Sequence, residues 1–363
     1  MKILEIIPQL SSGGAERLVV DLCNELSQFH EVTLLLYYNL SDYNFYANEI
    51  SERVNVISLN KKKGLDLRLF SQVSLIFNSI KPDVVHMHLH AINYVLPLIL
   101  KSSCAKFFMT IHNDAKKECE GWIGEMIRRF CFKSNKIIPI AISDESLKSF
   151  RKLYGFDAEL IYNGRKINFE FLQDVDVLNE VTEYKHSLKT KVIINLARFS
   201  PVKRQPLIAK VSARLEAEGY DFILLMIGRT DDDFILQEVE QYNTSSIKIL
   251  GEKSNPLQYL KQADAFCLAS TYEGLPISLI EALGVGVLPI CTPVGGIVNI
   301  IKDGYNGYLA EDLSEESFYK LVKRFLETDK DDCVKMKNNA LHSYGTYSIE
   351  KCASKHVALF IKS

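Results

Sequence analysis

Two glutamates eight residues apart stand in Ser270-Thr-Tyr-Glu273-Gly274-Leu275-Pro276-Ile-Ser-Leu-Ile-Glu281-Ala282. The apolar run Ala265–Ala269 leads into this polar turn, and Pro276 falls where a first helical position is expected, since its missing N–H is no loss there. Glycine lets such a turn approach a ligand closely, and a helix start offers unpaired N–H groups to an anion. Carboxylates spaced this way can accept hydrogen bonds from sugar hydroxyls at different depths of one pocket. A helix start that is merely capped accounts for the same residues. A second group, Asn195-Leu-Ala-Arg198-Phe-Ser-Pro201-Val-Lys203-Arg204, places two cations on a loop after a strand. Arginine grips a phosphate through two parallel hydrogen bonds, while lysine supplies a compact charge. Such cations stabilise the charge that grows on a departing diphosphate. An ordinary charged surface loop is the plain alternative. A third group, Ser11-Ser-Gly13-Gly14-Ala-Glu16-Arg17, sits at a strand-to-helix turn, where backbone N–H groups can face an anion or a sugar. Its spacing is not that of the G-x-G-x-x-G dinucleotide fingerprint, so dehydrogenase chemistry loses its best support.

Histidines and one amphipathic stretch complete the candidates. In His86-Met-His88-Leu-His90, side-chain alternation puts three imidazoles on one face if the strand continues. Three histidines can hold zinc. An acceptor contact or a packing role is preferred, because the segment ends a strand. Trp122, Ile123, Met126, Ile127 and Phe130 recur at helical spacing beside Arg128, Arg129 and Lys133. A basic amphipathic helix of this kind can lie on anionic lipid. An apolar face turned to the core is the favoured reading of the same spacing. Lys61-Lys62-Lys63 adds a basic tip that a solvated loop explains equally well.

The elements that must position these residues alternate. Candidate strands are Ile3–Ile7, Val32–Tyr37, Asn55–Ser58, Val84–His88, Lys106–Ile111 and Ile137–Ala141, with helices expected at Ala15–Phe29, Leu67–Ile80 and Asp144–Tyr154. Residues 163–190 are polar and read as an irregular connection. A second set follows: strands Val192–Ala197, Phe222–Gly228, Ile247–Leu250, Ala265–Ala269 and Val287–Cys291, with helices Gln205–Glu218 and Ile277–Leu283. The stretch Ser348–Ile361 is amphipathic. Strand–helix alternation implies an α/β chain with parallel sheets covered on both faces, and ligands at the carboxyl ends of the strands, in the cleft between two lobes.

Bulk composition agrees. A chain of 363 residues is too long for one ordinary core. With 47% hydrophobic and 24% charged residues it is an ordinary globular composition, and a net charge of −2 gives no reason to expect nucleic acid. Eight scattered cysteines, without a C-x-x-C pair, fit reduced thiols and a cytoplasmic location. The apolar run after Lys2 is interrupted by Glu5 and Pro8, so it reads as a strand rather than a signal peptide.

These motifs, together with Tyr162-Asn163-Gly164, Val294-Gly295-Gly296 and Asp303-Gly304-Tyr-Asn306-Gly307-Tyr-Leu309, resemble the retaining family 4 glycosyltransferases, in that family's order and from residue 3 to about 360. The resemblance implies the GT-B fold: two Rossmann-like doubly wound lobes with an inter-lobe cleft. Residues 1–168 would form an acceptor-side lobe, onto which a last helix within 348–363 packs back, coupling lobe closure to binding. Residues 169–347 would bind the nucleotide-sugar. By the same resemblance Arg198 and Lys203 hold the donor diphosphate, Glu281 the ribose hydroxyls, and Glu273 the donor sugar with the backbone of Gly274 and Leu275. His112, in Thr110-Ile-His112-Asn113, matches a histidine near the transferred sugar. Gly14 lies beneath the diphosphate, and Gly13, His88 and His90 fall on the acceptor side. Transfer retains the anomeric configuration, and no metal or other cofactor is implied. A UDP-linked hexose or N-acetylhexosamine is the expected donor. A glycan or lipid-linked glycan in bacterial surface polysaccharide synthesis is the expected acceptor, reached from the inner face of the membrane. Where members often carry a glutamate after the paired glycines, this chain has Asn299. Asp174-Val-Asp176 resembles the metal-binding pair of the other transferase fold, but no buried strand precedes it. A sugar-nucleotide epimerase and a catalytically silent nucleotide-binding subunit are the competing readings.

Overall fold

The computed structural model describes all residues except 44, 103, 120, 231, 243 and 363. It divides into two compact units, residues 1–166 with 347–363, and residues 167–346.

The first unit begins β1 (Lys2–Ile7), α1 (Gly14–Leu26), β2 (Glu31–Leu36), β3 (Asn55–Ser58), α2 (Arg68–Ile80) and β4 (Val84–His88). It continues α3 (Ile92–Lys101), β5 (Lys106–Ile111), α4 (Gly121–Lys133), β6 (Ile138–Ala141), α5 (Asp144–Tyr154) and β7 (Glu159–Leu160). All seven strands are parallel, in the order β3-β2-β1-β4-β5-β6-β7. β1 and β4 are neighbours although two strands and two helices separate them in sequence, so the strand order reverses there. Such a reversal leaves a crevice at the carboxyl ends of the two strands. β1, β2 and β4 are almost wholly buried, as strands covered on both faces must be.

The second unit contains α6 (Val175–Tyr184), β8 (Lys191–Leu196), α7 (Gln205–Ala217), β9 (Phe222–Ile227), α8 (Asp233–Glu240), β10 (Ile247–Gly251) and α9 (Pro256–Lys261). There follow β11 (Ala265–Leu268), α10 (Ile277–Val285), β12 (Leu288–Cys291), α11 (Ile297–Ile300), β13 (Tyr308–Leu309), α12 (Glu315–Glu327) and α13 (Lys330–Tyr344). Its parallel sheet runs β10-β9-β8-β11-β12-β13, and the order reverses between β8 and β11. The last helix, α14 (Ile349–Lys362), returns to the first unit and packs against α1. Its Phe360 ring lies 4.7 Å from Phe108 of β5. Ser363, the last residue of the expected helical stretch, lies outside the described residues.

Three expectations from the sequence need correction. The stretch 163–190 is not irregular throughout, because α6 forms within it. Val177 and Val181, four apart, bury one face of that helix. Asp174 is its N-cap, its carboxylate accepting from the N–H groups of Asp176 and Val177 at 3.1 Å each. Capping therefore accounts for the Asp-x-Asp pattern. The strand carrying His86 and His88 stops at His88, since Leu89 takes a left-handed conformation (φ 55°), and His90 turns out to the surface. The third correction concerns α4. Trp122, Ile123, Met126 and Phe130 are 57–70% exposed, and the helix buries Arg128, Cys131 and Phe132 instead. Helical spacing fixes that an apolar stripe exists, but not which stripe meets the core.

Candidate functional site

In the second unit the site residues gather at the β8/β11 reversal. Two loops leave the carboxyl ends of these strands, 197–204 and 269–276, and Thr271 N–H donates to the Val202 carbonyl at 2.8 Å to hold them together. Lys203 Nζ meets Glu273 Oε1 at 2.6 Å, and the Ser270 hydroxyl donates to the same oxygen at 2.5 Å. Glu273 is 8% exposed and Lys203 about one quarter, so the pair is shielded but reachable. Arg198, five residues earlier on the same loop, is exposed. Gln205 at the start of α7 braces this loop, its Nε2 donating to the Arg198 carbonyl at 3.0 Å and its Oε1 accepting from Ser200 N–H at 3.2 Å. Gly274 and Leu275 are buried ahead of α10, whose first turn begins after Pro276. Glu281 is the fifth residue of that helix and is buried.

The paired glycines at 295–296 explain themselves here. Gly295 has φ 54°, and a Cβ on it would stand 1.7 Å from the Glu273 carbonyl oxygen. Gly296 N–H donates to the Gly274 carbonyl at 2.7 Å. No side chain fits at Gly295, so this glycine lets one turn press against the other. Thr292 joins them, its hydroxyl donating to the Ser270 carbonyl at 2.6 Å. Ser270 heads the glutamate motif but was given no role there, and no motif marked Thr292. The Asp303–Leu309 motif proves architectural: Asn306 bonds Lys302 N–H, the Ile300 carbonyl and Ser343 Oγ, and Gly307 lies under Pro289.

In the first unit the expected residues lie at the carboxyl ends of the neighbouring strands β1, β4 and β5. Gly13 is the N-cap of α1 without a side-chain bond, and a Cβ on it would collide with Glu16 Oε2 at 2.2 Å. His112 directly follows β5 and is buried. His88, at the end of β4, places its Nδ1 3.0 Å from His112 Nε2 and its Nε2 2.9 Å from Glu5 Oε2. His86 Nδ1 lies 3.0 Å from Glu5 Oε2, and its Nε2 lies 2.7 Å from the Thr110 hydroxyl. Glu5, His86 and His88 thus have ligand-like spacing, their side-chain atoms within 4.8 Å of one another. Here the carboxylate is taken up by the two imidazoles. Burial raises the Glu5 carboxyl, but the two imidazoles outweigh it and hold the group well below the usual range. His90, expected on the same face, is not part of this group. Sequence reading missed Glu5, because a glutamate inside an apolar strand looked only like an interruption. It also missed Glu118. That carboxyl is buried, accepts from Asn113 N–H at 3.3 Å, and is pushed up to about 7 by burial against the opposing effect of Arg128. Tyr162-Asn163-Gly164 meets the start of α14, where a Cβ on Gly164 would lie 2.6 Å from Cys352 Cβ.

Two doubly wound parallel units, each with its motifs at a strand reversal, define an enzyme of the GT-B class. The model for "Glycosyltransferase Family 4" matches residues 12–169, and that for "Glycosyl transferases group 1" matches residues 178–343. The chain belongs to this family of group 1 glycosyltransferases. It is 27% identical to the N-acetyl-alpha-D-glucosaminyl L-malate synthase of Bacillus anthracis, over 83% of this chain and 81% of that one. It is 24% identical to a Campylobacter jejuni 4-alpha-N-acetylgalactosaminyltransferase acting on a diphospho-undecaprenol-linked glycan, covering 89% and 90% of the two chains. Among solved structures, Anabaena HepE in complex with UDP superposes with a TM-score of 0.83 at 16% identity over all of both chains. A Rickettsia africae glycosyltransferase gives 0.81 at 19% identity over 99% and 98%.

Proposed function

We propose that this glycosyltransferase moves a hexose or N-acetylhexosamine from a UDP-sugar, with retention and without a metal, to a glycan or lipid-linked glycan of bacterial surface polysaccharide synthesis. The observation that carries the reading is the Lys203–Glu273 pair at the β8/β11 reversal, with Arg198 on the same loop. A departing diphosphate gains negative charge as the bond from sugar C1 to the phosphate oxygen breaks. Arg198 and Lys203 neutralise that charge in the transition state more than in the ground state, which is what lowers a barrier. Glu273 and the backbone of Gly274 and Leu275 hold the sugar, and Glu281 accepts from the ribose hydroxyls. Gly14 lies beneath the diphosphate, with Gly13 on the acceptor side. The acceptor hydroxyl attacks C1 from the leaving-group face, and its proton passes to the departing phosphate oxygen. HepE was solved with UDP and with UDP-glucose, which supports the choice of UDP. The Campylobacter relative supports a lipid-linked acceptor.

A thermal-shift screen in the presence of a chelator tests this. UDP and one UDP-sugar raise the melting temperature, because a ligand at one hundred times its Kd adds about 2.7 kcal/mol of stability. GDP and ADP leave it unchanged. No shift with any nucleotide overturns the donor assignment, whereas a shift without sugar transfer favours the silent-subunit reading.

A lipid-linked acceptor also requires the enzyme to reach a membrane. No helix among the described residues is long and apolar enough to cross one. The exposed face of α4 offers contact instead: Trp122, Ile123, Met126 and Phe130 stand out, with exposed Lys133 in the last turn of the same helix. Arg128 is buried and Arg129 is spent on Glu125 and the Tyr154 carbonyl, so Lys133 carries the attraction to anionic lipid. Trp122 is the chain's one tryptophan and reports on this face directly. Its emission shifts to the blue with phosphatidylglycerol vesicles and much less with phosphatidylcholine, and Phe130→Ser weakens the shift. Unchanged emission with both vesicles removes the contact.

A further inference from the structure

Behind His112 lies a line of buried polar side chains that sugar transfer leaves without a task. Glu5, His86 and His88 are 0% exposed. The direction of their hydrogen bonds follows from which groups can only accept. An ionised carboxylate carries no proton, so His88 Nε2, 2.9 Å from Glu5 Oε2, must be the donor of that bond. Burial and the neighbouring His86 keep His88 neutral, its imidazole lowered to about 4. With its one hydrogen on Nε2, the Nδ1 of His88 is a bare lone pair and must accept. The atom opposite it, at 3.0 Å, is His112 Nε2, which therefore carries the hydrogen. Burial, then the nearby imidazoles, hold His112 neutral as well. Its single hydrogen is thus already placed, and its Nδ1 is left as an acceptor. The same logic at a metal-bound or catalytic imidazole shows how a partner on one ring nitrogen sets the role of the other.

We propose that Glu5 and His88 are positioning residues that fix His112 in its Nε2–H tautomer, so that His112 Nδ1 accepts a hydrogen bond from a hydroxyl of the transferring sugar. The inference rests on the reading that places His112 beside that sugar. Its consequence is selective: Nδ1 in this state welcomes a hydroxyl donor and repels a phosphate or carboxylate oxygen, and it cannot protonate the leaving group. His86 contributes by filling the rest of the Glu5 carboxylate, with Thr110 on its far nitrogen. His356 of α14 closes the group from the helix side, its ring 5.2 Å from His86 and its Nδ1 donating to the Cys352 carbonyl at 2.9 Å.

Two-bond proton–nitrogen correlation spectra of the full chain labelled at histidine read the tautomers directly, with His112 assigned by the signal lost in His112→Gln. His112 and His88 both show hydrogen on Nε2 at pH 7.5. His88→Leu removes the acceptor for His112, mixes its tautomers, and lowers turnover with the UDP-sugar by about 10- to 100-fold while UDP still raises the melting temperature. His88→Gln is the rescue: its amide N–H donates to Glu5 and its oxygen accepts from His112. It restores the Nε2–H signal and most of the turnover. A hydrogen on Nδ1 of His112 in the unmodified protein overturns the proposal, as does full turnover in a folded His88→Leu. The spectrum needs no substrate, so absence of any sugar transfer would sink the functional reading while the tautomer still decides this one.

Discussion

Lys203→Ala and Arg198→Ala each abolish the UDP-dependent rise in melting temperature and cut sugar transfer by about 10²- to 10³-fold, the cost of losing one preorganised charge at a developing anion. The two variants differ in the absence of ligand, and that difference locates the charges. Lys203 is tied to Glu273 at 2.6 Å, so its removal leaves a carboxylate that is 8% exposed with only the Ser270 hydroxyl on that oxygen. Loss of a charge-assisted bond from a shielded group costs about 2 kcal/mol, which lowers the ligand-free melting temperature. Arg198 is exposed, and its removal leaves that temperature within the range of an ordinary surface change. Lys203→Arg keeps the charge but not the compact fit, and recovers only part of the turnover. A UDP shift retained in both alanine variants would take this loop out of the donor site. A shift lost only in Lys203→Ala, together with its lower ligand-free stability, would mean that the loop supports Glu273 and does not itself grip phosphate.

How far the sequence could be read depends on the physical signal each element sends. The buried strands were legible because a strand covered on both faces must be a continuous apolar run. Val84–His88 and Lys106–Ile111 appear with the boundaries expected of them. The short edge strands Glu159–Leu160 and Tyr308–Leu309 send no such signal, since two residues show no period. Helix α6 was hidden by β-branched valines and by Asp176 and Asn179 of modest helix propensity, although its Asp174 cap was in plain view. At the candidate site, the loop positions of Arg198 and Lys203 were legible, because a charged segment containing Pro201 directly after a buried strand reads as a loop. The orientation of α4 was not, since amphipathic spacing is the same whether the apolar stripe meets the core or solvent. Glu5 was illegible for a related reason. Its meaning comes from His86 and His88, 81 and 83 residues away, which only the pairing of β1 with β4 brings beside it.

The same buried group makes the first unit the acid-labile one. His88 is lowered to about 4 and His356 to about 3, both mainly by burial, and burial also holds His112 well below its ordinary value. Each is neutral in the folded chain but takes up a proton in the unfolded chain once the pH drops through about 6.5. Their contribution to stability is therefore complete above that pH and is lost as the pH falls towards the folded values. Glu118 acts the other way. Raised to about 7, it binds its proton first in the folded state, so its penalty is relieved between pH 7 and about 4.5. Three imidazoles against one carboxyl leave a net uptake of about two protons on unfolding in that range, worth on the order of 5 kcal/mol between pH 6.5 and 4.5. That is comparable with the whole stability of many domains. Below pH 4.5 the lowered Glu5 adds to the loss in the same direction. In the second unit the perturbed acids, Asp221, Glu180 and Glu216 among them, are lowered carboxyls whose contributions are lost only below the ordinary carboxylate range. Calorimetry between pH 7.5 and 4.5 should thus show two transitions that separate, the one belonging to the first unit falling steeply. His356→Gln removes one of the three imidazoles and flattens that fall by about one proton, or ~1.4 kcal/mol per pH unit. Two transitions that stay together down to pH 5, or a slope unchanged in His356→Gln, would mean that these imidazoles gain protons without unfolding the unit that buries them.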